Sequence, residues 1–288
     1  MASGFFERRS KGRAEMSFVD HLEELRWHII RSILAILILA VLIFLKIQWV
    51  FDNIIAGPIN PNFISYKALC DFSNWLHLGD ALCLKPISVS IQTTTFGGQF
   101  FSSFSIAFIG GFIGAFPYIF WEFWRFARPA LTKREQRKTK GIIFWVSLLF
   151  FMGVGFGYYL IAPYTVNFFA TYTLSPLIAN TFTVGDYIDN IVSLVLGTGI
   201  VFQLPLVVLF LSKIGLLTPA FLRSNRKYAF VIILIIAAVI TPPDVVSQMI
   251  VTVPILLLYE ISIWISAKTV KELDNEQERE DDKLEEWS

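Results

Sequence analysis

Charged and chemically reactive side chains are scarce in this chain of 288 residues. Charged residues make up 16% of the sequence and the formal net charge is +1, so no basic excess points to a nucleic-acid partner. The three histidines, His21, His28 and His77, do not form a cluster with metal-ligand spacing. A Ser/His/Asp arrangement, a GxSxG sequence and a Walker loop are missing as well. The sequence therefore predicts no metal, no other cofactor and no catalysis.

Apolar residues are what the chain has in abundance. Hydrophobic residues make up 55% of the sequence, and the mean hydropathy is +0.60. A helix needs about 20 apolar residues to cross a bilayer, and only a helix satisfies its own backbone groups in lipid. We therefore predict an all-α integral membrane protein. An N-terminal segment, 1–27, precedes a transmembrane domain, 28–266, and a disordered acidic tail, 267–288, follows it. The domain contains six transmembrane helices, at about 28–50, 97–124, 141–163, 187–211, 227–240 and 245–266.

The basic residues lie at alternate ends of these apolar runs. Of the 24 lysines and arginines, only Lys46, Lys67 and Lys85 fall elsewhere. Positive charge marks the cytoplasmic side of membrane proteins. The pattern therefore predicts that both termini are cytoplasmic.

Prolines and glycines inside the runs predict helices that bend and pack closely. Pro117, Pro205 and Pro254 interrupt hydrogen-bond ladders, and together they predict kinked helices that form a concave body. Six glycines lie within the second and third runs: Gly110, Gly111, Gly114, Gly153, Gly155 and Gly157. They either allow neighbouring helices to approach closely or occupy ordinary packing positions.

The last two helices are predicted to be short. The fifth run ends at Thr241-Pro242-Pro243-Asp244, because proline cannot continue a helix. Two interpretations of Asp244 remain open. It lies either in a water-filled recess where the helices stop short of the surface, or in a tight turn where it caps the sixth helix.

The predicted outer loop 51–95 holds both cysteines, Cys70 and Cys83. In an oxidising compartment the two could form a disulfide, and the alternative is two free thiols.

Polar groups within the apolar runs are few, and Gln203 is the one strongly polar group near the middle of the fourth run. A buried polar residue in a membrane is either functional or a packing contact. A secondary transporter would need internal repeats and a polar site at the midplane, and an integral enzyme would need a catalytic pair in a helix. The sequence shows neither pattern. Carboxylates and aromatic residues instead concentrate on the predicted cytoplasmic face, where they suit guanidinium groups.

Short motifs resemble one membrane protein family. They are His-Leu-Glu-Glu-Leu-Arg at 21–26, Trp-Arg-Phe-Ala-Arg-Pro-Ala-Leu at 124–131 followed by Glu135, Phe-Gln-Leu-Pro at 202–205, Leu-Leu-Thr-Pro at 216–219, and Thr-Pro-Pro-Asp at 241–244 followed by Ser247-Gln248. This combination resembles the TatC family, the large multi-spanning subunit of the twin-arginine protein translocase, over about residues 17–266.

The resemblance implies a receptor for the signal peptides of folded cargo proteins, in a bacterial cytoplasmic (inner) membrane. Glu24 and Glu135 would bind the two arginines of a signal peptide, Phe126 would contact the neighbouring residues, and Arg26 would shape the entry. The residues by themselves leave simpler roles open: a salt bridge between Glu24 and Arg26, an interfacial anchor at Phe126, and a helix cap at Glu135.

The resemblance also implies partner proteins. The apolar part of the signal peptide would lie in a concave, lipid-facing groove. The residues expected to dock small single-span subunits of the TatA/TatB type, or to line that groove, are Gln203, Thr241, Asp244 and Gln248. Self-association in the receptor complex is implied too, with the membrane proton gradient as the energy source. The chain departs from the family pattern at Gln203, where many relatives carry glutamate, and an amide cannot serve any role that needs a charge.

Overall fold

The structure is a computed structural model that describes residues 18–75, 77, 79, 83–84, 90–127, 139–175, 177, 180–241 and 245–286. Its α-helices are α1 Phe18–Phe44, α2 Ile47–Val50, α3 Ile64–Trp75, α4 Gly98–Ala127, α5 Thr139–Phe156, α6 Ala162–Thr171, α7 Val184–Val201, α8 Leu204–Lys213, α9 Pro219–Ser224, α10 Arg226–Ile240 and α11 Val245–Glu286. Two short strands, β1 Ile91–Gln92 and β2 Phe182–Thr183, pair in parallel.

Helical stretches long and apolar enough to cross a membrane dominate the described part of the chain. Five of them qualify, namely Glu23–Phe44, Gly98–Phe126, Gly141–Thr171, Val184–Lys213 and Ser247–Glu272. The protein is thus an all-α, multi-pass integral membrane protein, as predicted. Helix α10 ends at Ile240, where the prolines predict it, and its 15 residues extend only ~22 Å at 1.5 Å per residue.

The prediction that the third transmembrane helix ends at Pro163 is wrong. A π-helical turn, Gly157–Ile161, joins α5 directly to α6, and Pro163 lies in the first turn of α6. The wider turn changes the hydrogen-bond partners just before the proline, so the missing amide hydrogen of Pro163 does not stop the helix. The helical stretch therefore continues to Thr171.

The fourth run divides in two at the predicted proline. Helix α7 ends at Val201 and α8 begins at Leu204, with Pro205 in its first turn. A proline at this position clashes with the carbonyl four residues earlier, that of Val201, and this explains the break.

The sixth helix is neither short nor interrupted, and the described part of the acidic tail, residues 267–286, is helical rather than disordered. Helix α11 is 42 residues long, passes through Pro254 and ends at Glu286. The sequence after Pro254 has no glycine or proline and is rich in glutamate, leucine and lysine, which are strong helix formers. Because the first half of α11 is already packed, the second half extends a formed helix and avoids the cost of nucleation.

Glycines bring two pairs of helices into backbone contact. A Cβ atom on Gly111 of α4 would lie 2.8 Å from the backbone nitrogen of Ala40 and from the carbonyl oxygen of Ile36 in α1. On Gly153 of α5 it would lie 2.7 Å from the carbonyl oxygen of Thr198 in α7. Gly155 differs, since a Cβ atom there would have no neighbour within 4 Å. The glycine pattern therefore predicts close packing correctly at some positions and not at Gly155.

The main core lies where α7, α10, α11 and the π-helical turn meet. Its fully buried side chains include Ile161, Ile188, Leu194, Val251 and Ile255. Helix α7, which contributes much of this core, begins at a local capping signal. The hydroxyl of Thr183 accepts a hydrogen bond from the amide of Asp186 and so caps the helix.

The two ends of the helix bundle differ in chemistry. One end, called the basic end here, carries Arg26, Arg31, Arg125, Arg226, Lys227 and Lys268. At this end Arg226 of α10 pairs with Glu260 of α11 at 2.8 Å, and Ser212 of α8 donates a hydrogen bond to Ser266 of α11 at 2.7 Å.

The opposite end is covered by what we call the cap: the segments Phe51–Ile55, Gly57–Ile59 and Ile64–Trp75. Three tyrosine hydroxyls donate hydrogen bonds to cap carbonyls: Tyr66 to Pro58 and Tyr187 to Ile55, both at 2.6 Å, and Tyr158 to Ile54. Burial raises the pKa of Tyr66, which keeps its hydroxyl a donor. Cys70 and Cys83 are joined by a disulfide.

Candidate functional site

The predicted site residues Glu24 and Arg26 both lie near the start of α1, at the basic end. Arg26 pairs with Glu23 at 3.6 Å, and both side chains are exposed. Glu24 behaves differently, because its Oε2 is buried and has no hydrogen-bond partner within the described part of the chain. Arg26 therefore pairs with Glu23 rather than with Glu24, and one carboxylate oxygen of Glu24 is left without a donor among the described residues.

Phe126 of α4 lies at the same end of the bundle as Glu24 of α1, because the two helices are neighbours that run in opposite directions. The ring of Phe126 meets the ring of His28 edge-on, with centroids 6.2 Å apart. His28 follows Glu24 by four residues on α1, and residues four apart share a helix face. Phe126 likewise follows Glu122, the residue of α4 that contacts His28, by four residues. Glu24 and Phe126 are therefore both one turn nearer the basic end than the contact between His28 and Glu122.

His28 of α1 and Glu122 of α4 form a buried pair that was not predicted from the sequence. Nδ1 of His28 lies 2.5 Å from Oε2 of Glu122, with the side chains 8% and 1% exposed. Arg125 lies 3.5 Å from the other oxygen of Glu122. The available signal was a carboxylate inside the second apolar run, because a charge in that position requires a partner. The partner could not be named without knowing that α1 and α4 are neighbours.

Two predicted site residues, Glu135 and Asp244, lie outside the described residues. The structure therefore tests neither the predicted helix cap at Glu135 nor the two interpretations of Asp244.

Gln203 lies in the turn between α7 and α8. Its Nε2 donates a hydrogen bond to the carbonyl of Val146 in α5 at 3.3 Å. Its Oε1 is buried and has no hydrogen-bond partner in the part of the chain that the structure describes. Gln203 thus joins two helices with one half of its amide and leaves the other half unused.

Thr241 directly follows α10, and Gln248 lies in the first turn of α11. Thr241 is buried, and its hydroxyl donates to the carbonyl of Ala237 at 2.8 Å. Gln248 of α11 donates to the carbonyl of Leu234 in α10 at 3.4 Å. Both residues therefore belong to the hairpin of α10 and α11, where they satisfy backbone carbonyls of α10.

An apolar groove of about 470 Å³ opens between α5, α8 and α11. Its walls include Trp145, Val146, Leu149, Pro205, Leu206 and Trp264, and every side chain that lines it is apolar. The groove begins beside Gln203, since Val146 both accepts the glutamine hydrogen bond and lines the groove. Its chemistry suits an apolar helix or a lipid chain.

The comparison with known families decides the assignment. A family model described as Sec-independent protein translocase protein (TatC) matches residues 20–254. The chain belongs to the TatC family. It is a multi-pass membrane subunit of the twin-arginine translocase, and it works with other components of that translocase.

Relatives match over nearly their whole length. The TatC protein of Blattabacterium sp. subsp. Periplaneta americana (strain BPLAN) is 40% identical over 253 residues, which are 88% of this chain and 95% of that protein. The TatCy protein of Bacillus subtilis (strain 168) is 33% identical over 252 residues, 88% of this chain and 89% of that protein.

A solved structure agrees. The crystal structure of a twin-arginine translocase receptor, TatC, superposes with a TM-score of 0.63 at 35% sequence identity, covering 85% of this chain and 97% of that chain. A second structure of such a receptor, in DDM, gives 0.66 at 34% identity. The expectation of a TatC-family membrane protein is confirmed.

Proposed function

We propose that this TatC-family chain is the signal-peptide receptor of the twin-arginine translocase and that its binding site lies at the basic end. Glu24 and Glu135 each pair with one arginine of the signal peptide, Phe126 contacts the residues beside them, and Arg26 borders the entry. The observation that carries the proposal is that Oε2 of Glu24 is buried and has no hydrogen-bond partner among the described residues.

Such an oxygen is unfavourable in an unliganded protein, because a buried acceptor without a donor loses its bonds to water and gains none. A guanidinium group suits it better than an ammonium group does. Its planar fork offers several donors in a fixed geometry that fits a carboxylate in two-point contact, whereas a lysine acts as a point charge. The half-buried ring of Phe126 adds an apolar surface on the neighbouring helix, at the level of Glu24.

The basic end faces the cytoplasm, and both termini lie on that side, with six transmembrane helices between them in a bacterial cytoplasmic membrane. Excess lysine and arginine at one end supports this orientation. The acidic tail, residues 267–288, is cytoplasmic as well. The chain carries out no catalysis of its own, and its energy source is the membrane proton gradient, used through the assembled complex.

The apolar groove receives the apolar part of the signal peptide, and the α10–α11 hairpin docks the small single-span subunits of the TatA/TatB type. The walls of the groove are wholly apolar, which supports the first assignment. Thr241, Gln248 and Asp244 form the polar patch for docking, and the spare oxygen of Gln203 accepts a bond from a neighbouring helix. The receptor complex also contains more than one copy of the chain.

The alternative, a secondary transporter of a small solute, lacks a polar site at the midplane in the described residues. A pocket lined by Gln48, Asp52, Gln99, Ser102 and Ser103 does offer polar groups, but it lies at the cap end of the bundle. The groove beside Gln203 offers apolar walls and one amide. A transporter site at the midplane requires several convergent polar groups. No observation in the described residues favours this alternative over the receptor.

The receptor assignment is tested by pull-down of the detergent-purified chain on immobilised peptides. One peptide carries the twin arginines, and the other carries twin lysines. Glu24→Ala and Glu135→Ala are compared with Glu23→Ala, a matched control whose exposed carboxylate already pairs with Arg26. We expect the twin-arginine peptide alone to retain the wild-type chain, and both site variants, but not Glu23→Ala, to lose it. Equal retention by both peptides would overturn the proposal.

The docking assignment is tested by disulfide crosslinking to single-span subunits that carry a cysteine in their membrane helix. Cysteines replace Gln203, Gln248 and, as the control, Phe144, an exposed residue on α5. We expect adducts at 203 and 248 in membranes containing the whole translocase. Adducts that are as frequent at 144 as at 248 would contradict docking at the hairpin.

A further inference from the structure

A buried hydrogen-bonded contact between α1 and α4 is not used by the binding site described above. His28 and Glu122 are both buried, and their side chains meet at 2.5 Å within two helical stretches that span the membrane. Removing a carboxylate from water is unfavourable, and two apolar side chains would pack these helices at least as well. A pair that is costly to bury and replaceable for packing points to a role in specifying geometry.

Glu122 is held in place by its own helix. One turn before it, Tyr118 lies near the same carboxylate and interacts with it electrostatically. Three residues after it, Arg125 lies 3.5 Å from its Oε1. The remaining oxygen, Oε2, faces His28 on the other helix. The carboxylate is thus fixed from α4 and directs one oxygen across the interface.

Further along the α1–α4 interface, glycines of α4 pack against apolar residues of α1. Gly110, Gly111 and Gly114 of α4 lie against Ile36, Leu39, Ala40 and Ile43 of α1. Glycines allow the helices to come close, but apolar contacts do not have the directional preference of a hydrogen bond. A hydrogen bond between buried groups fixes both the rotation and the axial register of the two helices.

The register of α1 against α4 matters because the site residues Glu24 and Phe126 lie on these two helices, at fixed distances from the His28–Glu122 pair. Glu24 lies four residues before His28, and Phe126 lies four residues after Glu122. In antiparallel helices both offsets lead one turn, or ~6 Å, toward the basic end. The edge-on contact of the His28 and Phe126 rings, at 6.2 Å, shows the pair and the site in direct contact.

We propose that His28 and Glu122 are positioning residues for twin-arginine recognition: their hydrogen-bonded pair sets the register of α1 against α4 and so the placement of Glu24 relative to Phe126. This inference rests on the proposed receptor function. It concerns the selectivity for arginine over lysine, and not the attraction of positive charge as such.

The reason is geometric. Two-point pairing of a guanidinium with a carboxylate needs both groups in a defined orientation, whereas an ammonium group binds from many directions. A shift between α1 and α4 therefore weakens arginine binding and leaves lysine binding almost unchanged. We expect His28→Leu and Glu122→Leu each to lower the arginine-to-lysine affinity ratio about tenfold.

The test uses the full chain purified in detergent, with dissociation constants for fluorescent twin-arginine and twin-lysine peptides. The single variants are compared with the exchanged pair, His28→Glu with Glu122→His, and with a neutral hydrogen-bonding pair, His28→Gln with Glu122→Gln. Recovery of the affinity ratio in either double variant supports positioning, because a hydrogen bond across the interface has been restored. Single variants that melt like the wild type and keep its affinity ratio would overturn the proposal.

A second readout does not depend on peptide binding. Trp27 and Phe123 adjoin the pair, and both side chains are exposed, so that cysteines there can carry nitroxide labels. We expect a narrow label-to-label distance distribution in the parent chain, a broadened one in the leucine variants, and a narrow one again in the double variants. Unchanged distances in folded leucine variants would overturn the proposal even if the parent chain prefers arginine. If the parent binds both peptides equally, the receptor function fails, while the distances still report whether the pair sets the register.

Discussion

The cap and the basic end of the bundle use their polar groups in opposite ways. In the cap, the hydroxyls of Tyr66, Tyr158 and Tyr187 donate to backbone carbonyls, and a disulfide closes the following segment. At the basic end, Oε2 of Glu24 is buried without a partner in the described part of the chain. The cap thus ties these three hydroxyls to its own backbone and leaves the buried hydroxyl of Ser65 without a partner among the described residues, whereas the basic end leaves a carboxylate oxygen without one. An unpaired carboxylate oxygen is costlier to bury than an unpaired hydroxyl, and this difference marks Glu24 as the candidate binding group.

The strongest way to break this comparison is to open the cap. Replacing Cys70 with serine removes the cross-link to Cys83, which closes a loop of 13 residues and is worth ~3 kcal/mol in the chain-entropy model. We expect faster proteolysis within residues 76–95 and an affinity for the twin-arginine peptide within about twofold of wild type, because the cap is remote from the site. The double serine variant is the control and should behave like the single one. A loss of peptide binding would show that the cap takes part in recognition.

The next change acts on the charge at the basic end. Glu24→Gln keeps the size of the side chain and one acceptor but removes the charge. We expect about 2 kcal/mol, or roughly 30-fold, weaker binding of the twin-arginine peptide, since a hydrogen bond to a charged group is the stronger kind. Fluorescence anisotropy measures the dissociation constant. The same change at Glu23, whose carboxylate is exposed, should have little effect, and equal losses at both positions would place the site elsewhere.

A smaller effect is expected from the packing that supports the site. A methyl group on Gly111 meets backbone atoms of Ala40 and Ile36 at 2.8 Å, so that α1 must move away from α4. We expect Gly111→Ala to destabilise the chain by ~1.5 kcal/mol, seen as a lower melting temperature in detergent. Gly155→Ala is the matched control, because its methyl group meets no atom within 4 Å. Control and variant with the same melting temperature would contradict the close contact.

The smallest effect is expected at the exposed ion pair of the basic end. Arg226 and Glu260 lie 2.8 Å apart, but both side chains are about half exposed. Solvent-exposed pairs contribute below ~1 kcal/mol, so Arg226→Gln should change the melting temperature and peptide binding little. A large loss of binding with unchanged melting would extend the site to α10.

Local signals in the sequence predicted the parts of the fold that local chemistry controls. The prolines after Thr241 end α10 where expected, and Pro205 divides the fourth run. Pro163 misled the prediction, because a π-helical turn before it accommodates the missing donor, and this turn has no pattern in the sequence. The tail was misjudged from its charge, although its composition also favours helix.

The candidate site was only partly within reach of the sequence. The motifs indicated Glu24, Arg26 and Phe126, but not that Arg26 pairs with Glu23 or that Oε2 of Glu24 has no partner among the described residues. The pair of His28 and Glu122 is separated by 94 residues and depends on which helices are neighbours. Helical periodicity in the sequence predicts which residues share a face of one helix, but it does not predict which other helix packs against that face.

The most direct test of the account is photocrosslinking from the two ends of the bundle. A photoreactive amino acid replaces either Phe126 at the basic end or Tyr172, an exposed residue at the opposite end of the bundle. Each protein, in membranes, is irradiated with a labelled twin-arginine signal peptide. The account predicts an adduct at position 126 that unlabelled twin-arginine peptide removes and twin-lysine peptide does not. Adducts of equal yield at position 172, or adducts at 126 that both peptides remove equally, would contradict it.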